Sequence, residues 1–303
     1  MKRKIFSLAG PALLLLLVAT ACGGGQSSRP PATSGASFPL TIPESDGQRL
    51  TLDSPRQRIV SLSPHATEIL CAIGAGDQLV AVDKFANCPR GSKSKPEVDS
   101  FQPNLEAIAG FRPDLVYVFS DQGNIVQALR GLGTPVLYLA LPTTIEGTFE
   151  NILLFGRIAG RTKEAGDLVA SMRKRVDAVK ARVSDVKEGP RFFHEVDATL
   201  YTVGPDTFVG ELYKLLKGQN IAAGAVGAYP QLSSETVVAR DPQVIVLADG
   251  EKPAAVKARP GWGTVSAVRS NRICEVDPDL ASQPGPRLVD GLEALAKCLY
   301  PDR

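Results

Sequence analysis

From Arg58 onward, short unbroken apolar runs alternate with segments whose apolar residues recur every three or four positions. That is the pattern of buried strands connected by amphipathic helices. Strands are expected at Ile59–Leu62, Leu79–Val82, Leu115–Phe119 and Val136–Leu139, with helices from Ser63-Pro64 through Ile73, over Asn104–Ala109 and over Asn124–Leu132. Pro64 just inside the first helix and Gly74 just past it are ordinary start and stop signals. Between Thr143 and Val183 there is no proline, and Ile145, Phe149, Ile152, Leu153, Ile158, Leu168 and Met172 fall at helical spacings, giving one long or briefly broken helix. After Pro190 the alternation resumes at Phe192–Val196, Phe208–Leu216, Glu235–Ala239, Val244–Ala248, Ile273–Val276 and Leu288–Leu299.

Strand and helix alternating in this way specify parallel sheets covered by helices. A chain of 303 residues also exceeds the size at which one core usually stops growing. The expected fold class is therefore α/β, with two Rossmann-like lobes over residues 48–142 and 188–303 joined by a backbone helix over 143–187. The first lobe is preceded by different material. Lys2, Arg3 and Lys4 lead into the apolar run Leu13–Val18 and then small residues, which reads as a signal peptide over 1–21. That run falls short of the roughly 20 apolar residues a spanning helix needs. Ala19-Thr20-Ala21-Cys22 resembles a lipoprotein processing site, so Cys22 carries a lipid, or else a free thiol after ordinary cleavage. Residues 23–37 are Gly, Ser, Pro, Thr, Ala and Gln with a single charge, a composition that cannot bury enough surface to fold, and a flexible tether over 22–47 is expected.

Charge changes the picture little. There are 34 Lys plus Arg against 32 Asp plus Glu, without a basic patch that would indicate nucleic acid. Cysteines matter more, because export makes disulfides chemically accessible to Cys71, Cys88, Cys274 and Cys298. Three pairings are open, the shortest loops joining Cys71 to Cys88 and Cys274 to Cys298.

An internal echo links the two lobes. Asn104-Leu105-Glu106 and Ser233-Ser234-Glu235 each open a short helix, and each Glu lies seven residues before a proline, Pro113 or Pro242, that leads into an apolar strand. An aromatic residue precedes each Glu: Phe101 by five positions and Tyr229 by six. For either Glu alone, helix capping is an equal reading. Repetition favours function. Helix-opening loops in such sheets lie at the carboxyl ends of strands, where ligands bind, which directs attention to Ser63, Pro64, His65, Lys84, Phe85, Tyr201–Gly204 and Gln283–Arg287.

The stretches Arg58-Ile-Val-Ser-Leu-Ser-Pro-His-Ala-Thr-Glu68, Asn104-Leu-Glu-Ala-Ile with Arg112-Pro-Asp-Leu-Val116, and Tyr229-Pro-Gln-Leu-Ser-Ser-Glu235 resemble the solute-binding proteins of cobalamin and iron-siderophore ABC importers. The likeness covers nearly everything from Arg58 to the end and is nearest to the vitamin B12-binding members. It implies a class III periplasmic-binding-protein fold, a monomer at the outer face of the membrane, and a permease with its ATPase as partners. It also implies that Glu106 and Glu235 dock onto permease arginines, and that Phe101, Phe119 and Tyr229 hold a ring ligand where B12 proteins carry tryptophans. Pro64, His65, Phe85 and Arg287 are the further candidate ligand contacts. Phe119 reads equally as core, and Arg287 as either a contact for an anionic ligand group or a solvated charge.

No cofactor is expected; the transported ligand is cobalamin or a ferric chelate, an iron-siderophore or haem receptor being the alternative. A Zn or Mn receptor would draw on His65 with Glu68 and on His194 with Glu195, but the chain has only two histidines. Catalysis is not expected, since the chain lacks a nucleophile elbow, a P-loop or a glycine fingerprint. Trp262 reads as a packed anchor more than a ligand contact.

Overall fold

Three four-residue segments, Ile59–Leu62, Leu115–Val118 and Val244–Leu247, are buried at every position, as strands covered on both faces must be. They form the middles of two parallel sheets in the computed structural model, which describes residues 37–86, 88, 95–281 and 283–303. The signal peptide, Cys22 and most of the expected tether lie outside the described residues.

The first lobe runs β1 (Leu40–Pro43), β2 (Arg49–Leu52), β3 (Ile59–Leu62), α1 (Pro64–Ala72), β4 (Leu79–Asp83), β5 (Glu97–Val98), α2 (Leu105–Gly110), β6 (Leu115–Val118), α3 (Ile125–Gly131) and β7 (Val136–Tyr138). Its sheet has the order β5-β4-β3-β6-β7, all parallel. Two helices follow, α4 (Ile145–Ala159) and α5 (Thr162–Arg182). The second lobe runs β8 (Arg191–Glu195), α6 (Phe208–Leu215), β9 (Gln219–Asn220), α7 (Ser234–Arg240), β10 (Val244–Leu247), α8 (Pro253–Lys257), α9 (Ser266–Arg269), β11 (Ile273–Glu275), α10 (Pro278–Ala281) and α11 (Leu288–Leu299). Its parallel sheet has the order β11-β10-β8-β9.

Two expectations are corrected here. The tether ends before residue 47: β1 and β2 form an antiparallel hairpin from Leu40↔Leu52 to Pro43↔Arg49, and Leu40, Ile42 and Leu52 sink into the core. Period-two alternation over only four residues, flanked by Pro39 and Gly47, hides such a hairpin among loop residues. The backbone helix is of the broken kind, and it folds back on itself. Gly160 caps α4 with φ +69°, a left-handed conformation that reverses the chain at no side-chain cost. Close approach at the corner needs Gly156, where a Cβ would stand 2.4 Å from the Ala165 methyl. Along the pair, Arg173 of α5 forms an ion pair with Glu146 at the far end of α4 and lies 4.8 Å from the centre of the Phe149 ring.

The described residues nonetheless behave as one compact unit. A continuous apolar core runs from Ile59, Ile69 and Tyr117 through Phe149, Phe155, Met172 and Val176 to Phe192, Leu212 and Leu292. Each sheet buries its other face on a separate cluster, around Val60, Val118 and Leu129 in the first lobe and around Phe193, Ile245 and Trp262 in the second. Polar ties reinforce the shared core: Arg56 N–H donates to Ile158 O at 2.8 Å, and Arg175 donates to Asp290 at 2.6 Å and to Glu293 at 2.8 Å. The shortest-loop disulfides form, Cys71–Cys88 and Cys274–Cys298, each with Cα atoms 5.9 Å apart.

Candidate functional site

The carboxyl ends of β3, β4, β5 and β6 lie side by side because these strands are neighbours in one parallel sheet, and the residues that leave them form a cavity. Its volume is about 270 Å³, with an apolar wall contributed by Pro64, Phe85, Phe101, Phe119, Leu141 and Pro284. Ser63, His65, Asp83, Ser100 and Gln283 supply the polar edge. Five of the sequence-expected contacts, Pro64, His65, Phe85, Phe101 and Phe119, are therefore brought together. Tyr229 and Arg287 are not among the lining residues.

Local chemistry explains the arrangement. The turn from β3 into α1 is fixed by Ser61 Oγ and Thr67 Oγ1, which both donate to Ser63 O at 3.0 Å. That turn buries His65, whose Nε2 lies 3.5 Å from Asn151 Nδ2 of α4. Burial, opposed in part by the Pro284 carbonyl, pushes the imidazole pKa down to about 4, so it is neutral at physiological pH. Phe85 and Phe101, each 60% exposed, stand edge to face with ring centres 6.2 Å apart. Phe119 is half-buried, packing partly on the core and partly facing the cavity.

Arg287 is corrected from a cleft or surface cation to one held between the lobes. Its Nη2 donates to Glu68 Oε1 at 2.7 Å and its Nε to Oε2 at 3.3 Å, a two-pronged pair with Glu68 buried. The Glu68 hydrogen bond raises the Arg287 pKa above its ordinary value. This happens because the Pro284-Gly285 turn docks on α1; a Cβ on Gly285 would lie 3.5 Å from Glu68 Oε2. Among the described residues no Lys or Arg lines the cavity. Gln283 Oε1, buried at its edge, has no partner among the described residues.

The two histidines do not meet. His194 is buried in β8 with Nδ1 2.8 Å from Tyr213 Oη, and burial takes its pKa down to about 4. Glu195 beside it is fully buried and gripped by Arg259 at 2.6 Å. Among the described residues no group of three or more His, Cys, Asp or Glu is placed to hold a metal ion. Trp262 is fully buried, its Nε1 donating to Ser234 Oγ at 2.8 Å and its ring 4.7 Å from the Arg259 guanidinium.

Glu106 and Glu235 occupy equivalent places, each the second residue of a short helix and each exposed. Asn104 Oδ1 accepts from Ala107 N at 3.0 Å, and Ser233 Oγ accepts from Thr236 N at 3.1 Å. The preceding residues supply these caps and both Glu residues are exposed, while backbone N–H and Ser233 hydrogen bonds to the Glu235 carboxylate hold its pKa below the ordinary value. Tyr229 is half-exposed, two residues before Gln231, which pairs with Tyr201 in an isolated antiparallel bridge. Sequence reasoning missed Asp83, Ser100 and Leu141; a lone acidic residue ending an apolar strand was the available signal for Asp83.

Comparison with known proteins follows the same lines. Residues 59–280 match the family described as "Periplasmic binding protein". The chain is 34% identical over 273 residues to an uncharacterized ABC transporter substrate-binding lipoprotein of Bacillus subtilis, covering 88% of this chain and 87% of that one. It is 32% identical to a cobalamin-binding protein of Halobacterium salinarum, over 94% of this chain and 82% of the other. Among solved structures, a possible iron-binding periplasmic protein of Staphylococcus epidermidis is 29% identical with a TM-score of 0.72, covering 82% of this chain and all of that one, 100%. The periplasmic vitamin B12-binding protein of Vibrio cholerae is 27% identical with a TM-score of 0.72, covering 82% of this chain and 98% of the other.

Proposed function

This chain belongs to the periplasmic binding protein family, and from that premise we propose that it is the extracytoplasmic receptor of an ABC importer that captures a cobalamin-like corrinoid in the cleft between its lobes, against the aromatic cavity that first-lobe residues form with Gln283 and Pro284 of the second. The observation that carries the reading is the wall of that cavity: three phenylalanine rings and, among its described lining residues, no Lys or Arg, the nearby Lys84 being paired with Asp99. Aromatic faces give large contact area to a flat ring at low entropic cost. An anionic ferric chelate or the carboxylates of haem would call for Lys or Arg at the wall, and Arg287, the candidate for that role, is committed to Glu68. Gln283 Oε1 is an acceptor suited to the carboxamide N–H groups that rim a corrin. The names of the Halobacterium and Vibrio relatives support the same ligand class.

Delivery rests on Glu106 and Glu235, one exposed carboxylate per lobe, which register the loaded protein on a basic permease surface. Cys22 supplies the lipid anchor, in keeping with the lipoprotein name of the Bacillus relative. The test is calorimetric titration of the mature chain with cyanocobalamin, haemin and a ferric hydroxamate. Saturable binding of cyanocobalamin alone is expected. Binding of a ferric chelate with silence toward cyanocobalamin would overturn the proposal and move the assignment to iron uptake.

A further inference from the structure

Phe85 and Phe101 are each 60% exposed and sit in loops leaving two different strands, β4 and β5. Packing alone does not fix rings so exposed, yet the pair forms one wall of the cavity. The link between the loops is Asp83, the last residue of β4, itself only 1% exposed and part of the cavity lining. Its Oδ1 accepts the Phe85 N–H at 2.8 Å and its Oδ2 accepts the Ser100 N–H at 3.2 Å. One carboxylate therefore ties the backbone under one ring to the backbone adjoining the other.

A second tie runs parallel to it on the surface. Asp99 Oδ1 accepts from Phe101 N at 2.9 Å and Gln102 N at 3.3 Å, while Oδ2 accepts from Lys84 Nζ at 2.7 Å. The ammonium also lies 4.9 Å from the Phe85 ring centre. Exposed ion pairs contribute little, so the buried carboxylate of Asp83 is the stronger of the two ties.

We propose that Asp83 is the positioning residue of the ligand cavity, holding Phe85 and Phe101 edge to face before ligand arrives. The proposal builds on the reading of this cavity as the ligand site. Its physical content is preorganisation: rings held in place at rest do not have to be ordered at the cost of binding energy. Asp83 acts through the two phenylalanines, by holding the backbone on which their rings stand.

Two measurements on Asp83→Ala test this. Hydrogen exchange on the unliganded protein should show faster exchange at the Phe85 and Ser100 amides, with the β3 and β6 amides unchanged. Titration with cyanocobalamin should show affinity weakened about tenfold, with no further loss when Asp83→Ala is added to Phe85→Ala/Phe101→Ala, because residues acting as one unit are not additive. A role in general stability alone would give additive losses and faster exchange throughout the sheet. Unchanged exchange at the two amides, or full additivity, overturns the proposal. Should Asp83→Ala fail to fold, Asp83→Asn removes one of the two acceptor oxygens and is read at the Ser100 amide. If the wild-type protein does not bind cyanocobalamin, the functional reading falls while the exchange experiment still decides the role of Asp83.

Discussion

The two lobes share a plan and differ in what they do with their aromatic rings. Both place a short capped helix before a fully buried central strand, and both set an exposed Glu at the second position of that helix, Glu106 or Glu235. The first lobe leaves Phe85 and Phe101 largely exposed at the carboxyl ends of its strands. The second buries Phe192, Phe193, Tyr213 and Trp262 almost completely, stacking Phe192 on Tyr213 with ring centres 3.6 Å apart. A buried ring contributes to stability and an exposed, positioned ring to recognition. On the proposed reading the first lobe supplies the aromatic wall while the second mainly braces, contributing Gln283 and Pro284 to the cavity and leaving Tyr201 and Tyr229 exposed, and the helix carrying the exposed Glu is kept in both.

That division is open to attack from the bracing side first. Arg259→Ala would leave the fully buried Glu195 carboxylate, whose pKa burial already raises, without its partner. Losing one member of a buried pair costs about 3–5 kcal/mol. Chemical denaturation should register a loss of that size, with cyanocobalamin affinity at 25 °C unchanged in the fraction that remains folded. A large change in affinity would show that the second lobe does more than brace.

Docking is the next largest effect. Glu106→Ala/Glu235→Ala should lower uptake by about a hundredfold in a reconstituted importer while leaving ligand affinity within twofold, since such charges act on encounter and register. Loss of ligand affinity would contradict the assignment of these residues.

Acid sharpens the comparison because each lobe buries one neutral histidine. Burial holds the pKa values of His65 and His194 at about 4 in the folded protein, below the ordinary imidazole value of 6.5. The unfolded chain therefore takes up these protons first, so this contribution is fully present above pH 6.5 and is lost as pH falls toward 4. Between pH 6.5 and 5 the loss is roughly 2 kcal/mol per histidine. His194→Gln should remove about half of that slope in pH-dependent denaturation; an unaltered slope would mean that His194 does not titrate in the unfolded chain alone.

The smallest effect belongs to the tie between lobes. Glu68→Gln should cost about 1 kcal/mol, because Arg287 keeps partial access to water and one hydrogen bond survives. A loss several times larger, measured by thermal unfolding, would make this pair a principal hinge constraint.

Features written within a few neighbouring residues were legible in the sequence: the apolar strand runs, the Pro64 and Gly74 helix signals, and the repeated Glu. What escaped was set by contacts distant along the chain. The apolar spacing continues through Gly160 because α4 and α5 bury faces against one another after the reversal, so periodicity alone does not reveal the turn. Arg287 and Glu68 are 219 positions apart, and neither residue type announces a partner. The aromatic wall was legible, since Phe101 and Phe119 were singled out by the family resemblance and Phe85 by its place after a strand, whereas Asp83 gains meaning only when β4 and β5 are seen as neighbours.

The most direct test of the central claim sets the exposed rings of the two lobes against each other. Cyanocobalamin should be titrated calorimetrically into Phe85→Ala/Phe101→Ala and into Tyr201→Ala/Tyr229→Ala, alongside the wild-type protein. The account predicts at least about a tenfold loss of affinity for the first pair, a smaller loss for the second, and unchanged thermal stability for both. Equal affinity in wild type and the first pair, with the loss confined to the second, would contradict it and place recognition in the other lobe.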